Sequence, residues 1–229
     1  MSPESRASLK EGVTLMKTIT QQKPFEEIRQ CLERDQRVYI IGCGTCATMC
    51  QTGGKSEVLE MRDKLEEIGK EVTGWMVIST VCDSLTREAL KEDIEAVQRA
   101  DAILVMACAF GVQTVAQYVE KLVYPALNTL LLGHEDSPGH FSRVCIQCAD
   151  CILSLTGGIC PIARCPKNLF HGPCGGSEGG KCEVHPDLPC TWHLIIERLS
   201  KLGRLDKLEA IVPPKDWSVS LTAGPFEPG

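Results

Sequence analysis

Short apolar runs and amphipathic stretches alternate along the middle of the chain. Three apolar runs are typical of strands and cover residues 38–41, 75–80 and 102–107. After each run, apolar residues recur three and four positions apart, as they do on one face of a helix. These helical positions are Val58, Met61, Leu65 and Ile68, then Leu90, Ile94 and Val97, then Val112, Val115, Val119 and Leu122, with the third helix continuing to Pro125. The run NTLLLG, residues 128–133, is a candidate fourth strand.

This alternation predicts an α/β fold over residues 37–133, with an open, doubly wound parallel sheet of the flavodoxin or Rossmann type. In such sheets, ligands gather outside the carboxyl ends of the strands. Cys43, Cys82 and Cys108 each follow the end of a predicted strand. The sequence therefore predicts that these three cysteines, although distant along the chain, converge on one edge of the sheet.

The flanking segments have other patterns. We expect a helical lead-in at residues 1–36, a polar linker at 133–139, a smaller cysteine-rich metal-binding domain at 140–205 and an extended tail at 206–229. The cysteine-rich domain has little periodicity until a last helix from about Trp192 to Leu202. Because it cannot bury much apolar surface, bound metal is expected to stabilise it. Trp217 and Phe226 are expected to anchor the tail.

The composition excludes several functions. The chain has 229 residues, 43% of them hydrophobic, which is enough for a core. The formal net charge is −6 and no basic stripe occurs, so no nucleic-acid partner is expected. No apolar run is long enough for membrane insertion, and the first residues do not resemble a signal peptide. We therefore expect a cytoplasmic protein, in which clustered thiols are metal ligands rather than disulfides.

Eight of the 14 cysteines lie between Cys145 and Cys190. Cys145, Cys148 and Cys151 form C-x-x-C-x-x-C, a spacing that can wrap one iron–sulphur cubane. The fourth ligand and a second site, either another cubane or zinc, would come from the other five: Cys160, Cys165, Cys174, Cys182 and Cys190. Structural zinc knuckles are the main alternative for this stretch, and a disulfide scaffold is the weakest.

A second cysteine motif follows the first predicted strand. Cys43, Cys46 and Cys50 form C-x-x-C-x-x-x-C, and Cys108 or Cys82 at the same sheet edge would complete the ligand set of a cluster. A redox-active dithiol is the main competitor, but it does not need Cys50. The same loop contains the dinucleotide pattern G-x-G-x-x-A, although cysteines would occupy the pyrophosphate position. Cys31 has no cysteine neighbours and is interpreted as a small buried hydrophobe.

No catalytic constellation is evident. The chain contains neither G-x-S-x-G nor H-E-x-x-H, and the acidic residues near the first helix alternate with lysines, as on a solvated face. The residues therefore favour the passage of electrons over the making of bonds. Because exposed clusters degrade in oxygen, an anaerobic host is expected.

Several runs resemble one known family. GGICPIARCPK, GPCGGSEGGKCEV and PCTWHLIIERL are similar to the cysteine-rich C-terminal domain of methylenetetrahydrofolate reductase. CGTCATMCQTGGKSEV and CAFGVQTVAQ resemble the small iron–sulphur subunit of the acetogen-type enzyme. That family pairs this subunit with a flavin-bearing barrel subunit that holds FMN and folate. The resemblance implies that Cys43, Cys46, Cys50 and Cys108, together with the eight downstream cysteines, are the ligands.

The leading hypothesis is an electron-transfer subunit of a methylenetetrahydrofolate reductase complex in one-carbon metabolism. It would carry two or three [4Fe–4S] clusters, with zinc possible at one downstream site, and FMN is expected in the partner alone. One alternative is a zinc-binding structural or interaction subunit. Another is an electron adaptor for a different flavoenzyme, such as a heterodisulfide-reductase-like complex. The fourth upstream ligand and the division of the downstream cysteines stay open at this point.

Overall fold

The computed structural model describes residues 17–137 and 139–221. Its strands are β1 (Lys17–Gln22), β2 (Arg37–Cys43), β3 (Glu71–Ile78), β4 (Ala102–Met106), β5 (Leu122–Pro125), β6 (Leu127–Ser137) and β7 (His140–Cys145). Its α-helices are α1 (Phe25–Cys31), α2 (Cys46–Met49), α3 (Lys55–Glu67), α4 (Thr86–Glu92), α5 (Ile94–Arg99), α6 (Ala109–Tyr118), α7 (Pro161–Arg164), α8 (Thr191–Lys201) and α9 (Ser218–Leu221). A 3₁₀ helix covers Leu205–Glu209. No helix in the described residues is long and apolar enough to cross a membrane.

Four strands form the predicted parallel sheet, in the order β3-β2-β4-β5. The two central strands are buried almost throughout, and β4 is buried at every position. Their apolar runs, residues 38–41 and 102–106, are the runs from which the strands were predicted. The mixed α/β character and the parallel sheet are therefore confirmed.

Helices cover both faces of this sheet. A side chain at Gly42 of β2 would meet Val58 of α3, whereas Tyr39, on the opposite face of the strand, donates a hydrogen bond to Asp93 at 2.9 Å beside α5. Residues an odd number of positions apart in a strand face opposite sides of the sheet. Helices on both faces of a parallel sheet are the arrangement that a doubly wound fold requires.

The third predicted helix is too long. It ends at Tyr118 rather than Pro125, and Leu122–Pro125 forms β5, the edge strand that pairs with β4. Leu122 is 60% exposed, so β5 lacks the buried apolar run that marks the central strands. Its terminal proline also fits an edge position, because proline cannot donate to a sheet.

A second sheet, antiparallel and not predicted, has the order β1-β6-β7. It corrects two expectations. The described part of the helical lead-in begins with a strand, β1, and only then forms α1. The supposed polar linker at 133–139 lies largely within β6, and the candidate strand at 128–133 belongs to this sheet rather than to the parallel one.

The cysteine-rich segment has little regular structure, as its pattern indicates. Between β7 and α8 the described helix is α7, of four residues. The last helix matches its prediction, since Trp192, Ile195 and Leu199 are buried. The tail is less extended than expected, because it contains the 3₁₀ helix and α9. Trp217 is 41% exposed, and Phe226 lies outside the described residues.

Candidate metal centre

The sheet edge brings the first pair of cysteines together. Cys43 is the last residue of β2, and the preceding Gly42 pairs with Met106 at the end of β4, two residues before Cys108. From β2 and β4 the chain leads to opposite sides of the sheet, so this position is the topological switch point at which such folds bind ligands. Cys43 and Cys108 are both buried, at 5% and 7% exposure.

Cys82 lies near the same sheet edge, as the packing of the adjacent Val81 indicates. A side chain at Gly111, in the first turns of α6, would lie 2.9 Å from the Cβ of Ala107 and 3.1 Å from the Cβ of Val81. The residues directly before Cys108 and Cys82 therefore pack against one backbone position. Cys82 itself is exposed, so it lies at the rim of the site.

The loop after β2 contributes Cys46, at the start of α2, and Cys50, directly after it. The loop closes on the strand, because the amide of Cys43 donates to the carbonyl of Gly53 at 2.9 Å and Thr48 Oγ1 donates to the carbonyl of Cys43 at 2.7 Å. A Cβ at Gly53 would collide with the carbonyl of Met106 in β4. Only glycine therefore lets the loop return across the end of the sheet.

The same geometry argues against a dinucleotide turn. The amide of Gly44 donates to the carbonyl of Ile78 at 2.8 Å and is not available for a phosphate. The helix that follows, α2, has four residues, and the 13-residue helix α3 begins only at Lys55. The G-x-G-x-x-A pattern is therefore part of the cysteine loop and does not form a dinucleotide-binding turn.

Strand β1 supports this loop from the second sheet. The hydroxyls of Thr20 and Thr52 are 2.6 Å apart and buried, and Gln22 Nε2 donates to the carbonyl of Thr52 at 3.0 Å. The thiol of Cys50 donates to the carbonyl of Thr18 at 3.9 Å. Cys50 is therefore turned towards β1. The sequence analysis missed this support, since nothing in the polar strand β1 indicates that it pairs with a loop some 30 residues away.

The pKa values of two thiols are influenced by neighbouring cysteines. Partial desolvation raises the pKa of the Cys82 thiol above its ordinary value, and the negative charges of ionised Cys108, Cys43 and Cys46 raise it further. Burial also raises the pKa of Cys50, partly offset by hydrogen bonds from Thr20 and by the charge of Lys17, and the cysteine that acts on it is Cys46. Cys82 thus lies near three other cysteines, and one of them, Cys46, also lies near Cys50.

The cysteines of the chain are all free thiols. No two of the 14 cysteines are joined, although Cys31 proves to be exposed rather than buried. Within residues 17–137 and 139–221, no group of three or more His, Cys, Asp or Glu side chains is arranged to hold a single metal ion. Thiolates are soft ligands of the kind that iron–sulphur clusters and zinc use.

The eight downstream cysteines are distributed along the cysteine-rich segment. Cys145 ends β7, Cys160 and Cys165 flank α7, and Cys190 precedes α8. Backbone amides donate to two of the sulphurs, from Gln147 to Cys145 at 3.3 Å and from Ala163 to Cys160 at 3.4 Å. Four of the eight, namely Cys165, Cys174, Cys182 and Cys190, line one small cavity. His185 lines a neighbouring cavity.

Comparison with known proteins points to one family. Residues 124–218, less than half of the chain, match the family model described as methylene-tetrahydrofolate reductase C terminal. This part of the chain is therefore related to methylenetetrahydrofolate reductase. No curated protein matches significantly.

A solved structure also aligns with the chain, an amino acid ABC transporter substrate-binding protein from Pseudomonas fluorescens Pf-5. The identity is 16% and the TM-score 0.33, and the alignment covers 43% of this chain and 26% of that one. So low a likeness has no bearing on fold or function.

Proposed function

We propose that this chain is an electron-transfer subunit of a methylenetetrahydrofolate reductase system. It holds a [4Fe–4S] cluster at the edge of its parallel sheet and passes electrons to the FMN of a partner catalytic subunit. The observation that carries this proposal is the convergence of cysteines from three strand ends at the topological switch point. The relation of residues 124–218 to methylenetetrahydrofolate reductase supports the choice of partner over another flavoenzyme.

Five cysteines surround the sheet edge, and a cubane needs about four. We assign Cys43, Cys46, Cys82 and Cys108 as the ligands, because Cys43, Cys82 and Cys108 follow strand ends at one sheet edge and Cys46 begins the helix in the loop after β2. Cys50 is the fifth, turned towards the carbonyl of Thr18. This assignment differs from the resemblance, which implies Cys50 in place of Cys82.

The surrounding residues suit the passage of electrons. Burial of Cys43 and Cys108 shields one side of the site, while the exposed Cys82 leaves the other side open to a partner protein. Thr45 Oγ1, 3.4 Å from the sulphur of Cys43, can donate to a thiolate and stabilise added negative charge. When bound there, a [4Fe–4S] cluster supplies reversible transfer of one electron.

Reduction of FMN to the form that gives up a hydride takes two electrons. Two successive one-electron transfers are therefore required, and each electron must come from an external one-electron reductant of low potential. Dithionite serves as that reductant in an assay. The protein's contribution is to hold the centre in a fixed position between donor and flavin.

The test uses the chain purified without oxygen, with Cys82→Ala, Cys50→Ala and Cys108→Ala variants. Cys82→Ala and Cys108→Ala should each lose about four iron and four sulphide atoms, whereas Cys50→Ala should lose none. Cys31→Ala is the control, because Cys31 is exposed and is not among the proposed ligands. Loss of iron in Cys50→Ala and not in Cys82→Ala would overturn the ligand assignment.

The electron-transfer role is tested separately with an FMN-bearing methylenetetrahydrofolate reductase subunit. Dithionite-reduced wild-type chain should bleach the flavin absorbance much faster than the Cys108→Ala variant does. Equal rates for the two would contradict the role. Stoichiometric zinc without sulphide in the wild-type chain would favour the zinc-binding interaction subunit instead.

A further inference from the structure

A cleft of about 640 Å³ lies between β7, α7 and the beginning of α8. Arg143 of β7, Arg164 of α7 and Thr191 of α8 line it, and Phe141 and Leu188 add apolar surface to its wall. The short helix α7 is held in place because it packs on β7. Small-molecule sites have volumes of about 300–1,000 Å³. The cleft is therefore large enough to hold a small organic molecule.

Two unpaired arginines give the cleft its positive charge. Arg143 and Arg164 are exposed, and neither guanidinium forms an ion pair or a hydrogen bond with a residue that the structure describes. Arg37, by contrast, pairs with Asp101 at 2.6 Å. A guanidinium is always charged, and its fork of donors matches the oxygens of an anion. Two such groups in one cleft, without a partner from the described chain, indicate an anionic ligand.

Negative charge in the cleft wall is limited. Among the described residues that line the cleft, Asp136 carries the one carboxylate, and this group is already hydrogen-bonded. The hydroxyl of Ser142 donates to one of its oxygens, and His134 Nε2 lies 2.7 Å from the other. His185 also lines the cleft and adds positive charge when it is protonated. The two arginine charges therefore exceed the negative charge of the wall.

The amino end of α8 adds hydrogen-bond donors to the same wall. No side chain caps this 11-residue helix, and the amides of Thr191, Trp192 and His193 have no acceptor among the described residues. Free amides and the helix dipole together favour an anion at the amino end of a helix. Because Thr191 is the first residue of α8 and lines the cleft, these donors lie beside the arginines.

The hydroxyl of Thr191 is an independent indication of a ligand. Thr191 is 5% exposed, and its hydroxyl forms no hydrogen bond within residues 17–137 and 139–221. In that part of the chain, every fully buried side-chain oxygen and nitrogen has a partner, so this hydroxyl must reach a surface. The small cavity between the cysteines, which Thr191 also lines, exposes no polar surface from its described residues. The hydroxyl therefore faces the cleft and is available to a ligand.

We infer that this cleft binds the phosphate group of a small organic phosphate monoester. A phosphate dianion balances both arginines, and its three terminal oxygens suit a set of donors that includes a hydroxyl and backbone amides, whereas a carboxylate has two oxygens. The apolar side chains of Phe141 and Leu188 suit the organic part of the molecule. The inference goes beyond the proposed electron-transfer role and does not depend on it, because none of these donors is a proposed metal ligand.

Isothermal titration calorimetry of the full chain, purified without oxygen so that its metal stays bound, tests the inference. The probe is phenyl phosphate at about pH 7.5, where a phosphate monoester is mostly a dianion. The wild-type chain should bind one phenyl phosphate, at least about tenfold more tightly than phenyl sulphate, which has a similar shape and one charge less. Inorganic phosphate should bind more weakly than phenyl phosphate, because it cannot contact the apolar wall.

Variants of the cleft locate the binding site. Arg143→Gln and Arg164→Gln should each weaken the binding of phenyl phosphate about tenfold, and the double variant about 100-fold. Thr191→Val, which keeps the size of the side chain and removes its hydroxyl, should weaken binding by about threefold. Arg87→Gln is the matched control, because Arg87 is an exposed arginine of α4 outside the cleft, and this variant should bind like the wild-type chain.

Unchanged affinity in the double arginine variant would overturn the inference, as would equal affinity of the wild-type chain for phenyl sulphate or for inorganic phosphate. If the variants do not fold, hydrogen exchange of the wild-type chain decides the question. Phenyl phosphate should slow the exchange of the amides of residues 191–193, and unchanged exchange there would contradict the inference. A chain that contains no iron but binds phenyl phosphate in this way would leave the inference standing while the electron-transfer proposal failed.

Discussion

The parallel-sheet half and the cysteine-rich segment are stabilised in different ways. In the first, Val38, Ile40 and Leu104 of adjacent strands are fully buried within one large apolar cluster. In the second, one small apolar cluster contains three buried side chains of α8, against which Ile159 packs. Burial of apolar surface is the main favourable contribution to folding, so the second region has little of it.

This difference indicates what each region contributes. The sheet half can position Cys43 and Cys108 whether or not metal is bound, because its core supplies the folding free energy. Between β7 and α8, the cysteine-rich segment combines many glycines with one four-residue helix, so we expect groups bound by its thiolates to stabilise its shape. The proposed sheet-edge centre would therefore be attached to a scaffold that is stable by itself, whereas metal bound by the downstream cysteines would stabilise the segment that holds it.

The largest expected effect is that of metal removal. After anaerobic chelation, backbone amides in residues 146–190 should exchange with solvent at nearly unprotected rates, while those of β2 and β4 stay protected. The reason is that metal binding is expected to supply folding free energy to the cysteine-rich segment and not to the parallel-sheet half. Hydrogen exchange with mass spectrometry gives both readings, and a mock-treated sample is the control. Equal loss of protection in β2 and β4 would contradict the comparison.

A core substitution tests the other half. Ile40→Ala on the central strand β2, where Ile40 is 0% exposed, should lower the free energy of unfolding by about 2–5 kcal/mol. The matched control is Ile211→Ala, since Ile211 is 97% exposed and its truncation should cost less than about 0.5 kcal/mol. Urea unfolding followed by circular dichroism measures both. Similar values for the two variants would show that the sheet core is not what stabilises this half.

The antiparallel sheet joins the two regions, and a buried ion pair tests it. Lys17 of β1, with its side chain 2% exposed, pairs with Glu135 of β6 at 3.0 Å and lies 5.7 Å from the ring of Phe141 in β7. Lys17→Met should destabilise the protein by about 1–3 kcal/mol, because it leaves the Glu135 carboxylate without its cation. Lys23→Met, which removes a more exposed pair with Glu27, should cost less than about 1 kcal/mol. If thermal unfolding shows that the two variants lose equal stability, the antiparallel sheet does not join the two regions through this ion pair.

The smallest expected effect depends on pH. Hydrogen bonds from the guanidinium and the amide of Arg37 hold the pKa of Asp101 at about 2, below its ordinary value, and so tie β2 to β4. Because the folded-state pKa is lowered, the stabilisation is complete above the ordinary pKa and is lost as pH falls through about 2. Asp101→Asn should cost roughly 1 kcal/mol at neutral pH and progressively less in acid. Asp63→Asn on exposed α3 is the control, and a cost for Asp101→Asn that does not change with pH would contradict this account.

The sequence predicted those features that depend on local pattern. The apolar runs of β2 and β4 and the helical spacing of Val58, Met61 and Leu65 identify elements that the structure contains. Parallel strands align their carboxyl ends, so the meeting of Cys43 with Cys108 could be deduced from the strands alone. The position of this candidate site at the sheet edge could therefore be predicted from the sequence.

Other features depend on long-range pairing and were missed. Ile19 of β1 pairs with Leu131 of β6 across more than 100 residues, and nothing local to β1 indicates that partner. Strand β5 is short and half exposed, so its pattern resembled the end of a helix. The grouping of Cys165 with Cys174, Cys182 and Cys190 follows from turns without periodicity, which no spacing rule predicts.

The central claim is that the cysteines of this chain hold iron–sulphur clusters, and electron paramagnetic resonance of the anaerobically purified wild-type chain tests it most directly. The account predicts a brown protein whose broad visible absorption fades on addition of dithionite, with paramagnetic signals of reduced [4Fe–4S] clusters appearing at the same time. A colourless protein that stays without a signal after dithionite would contradict it.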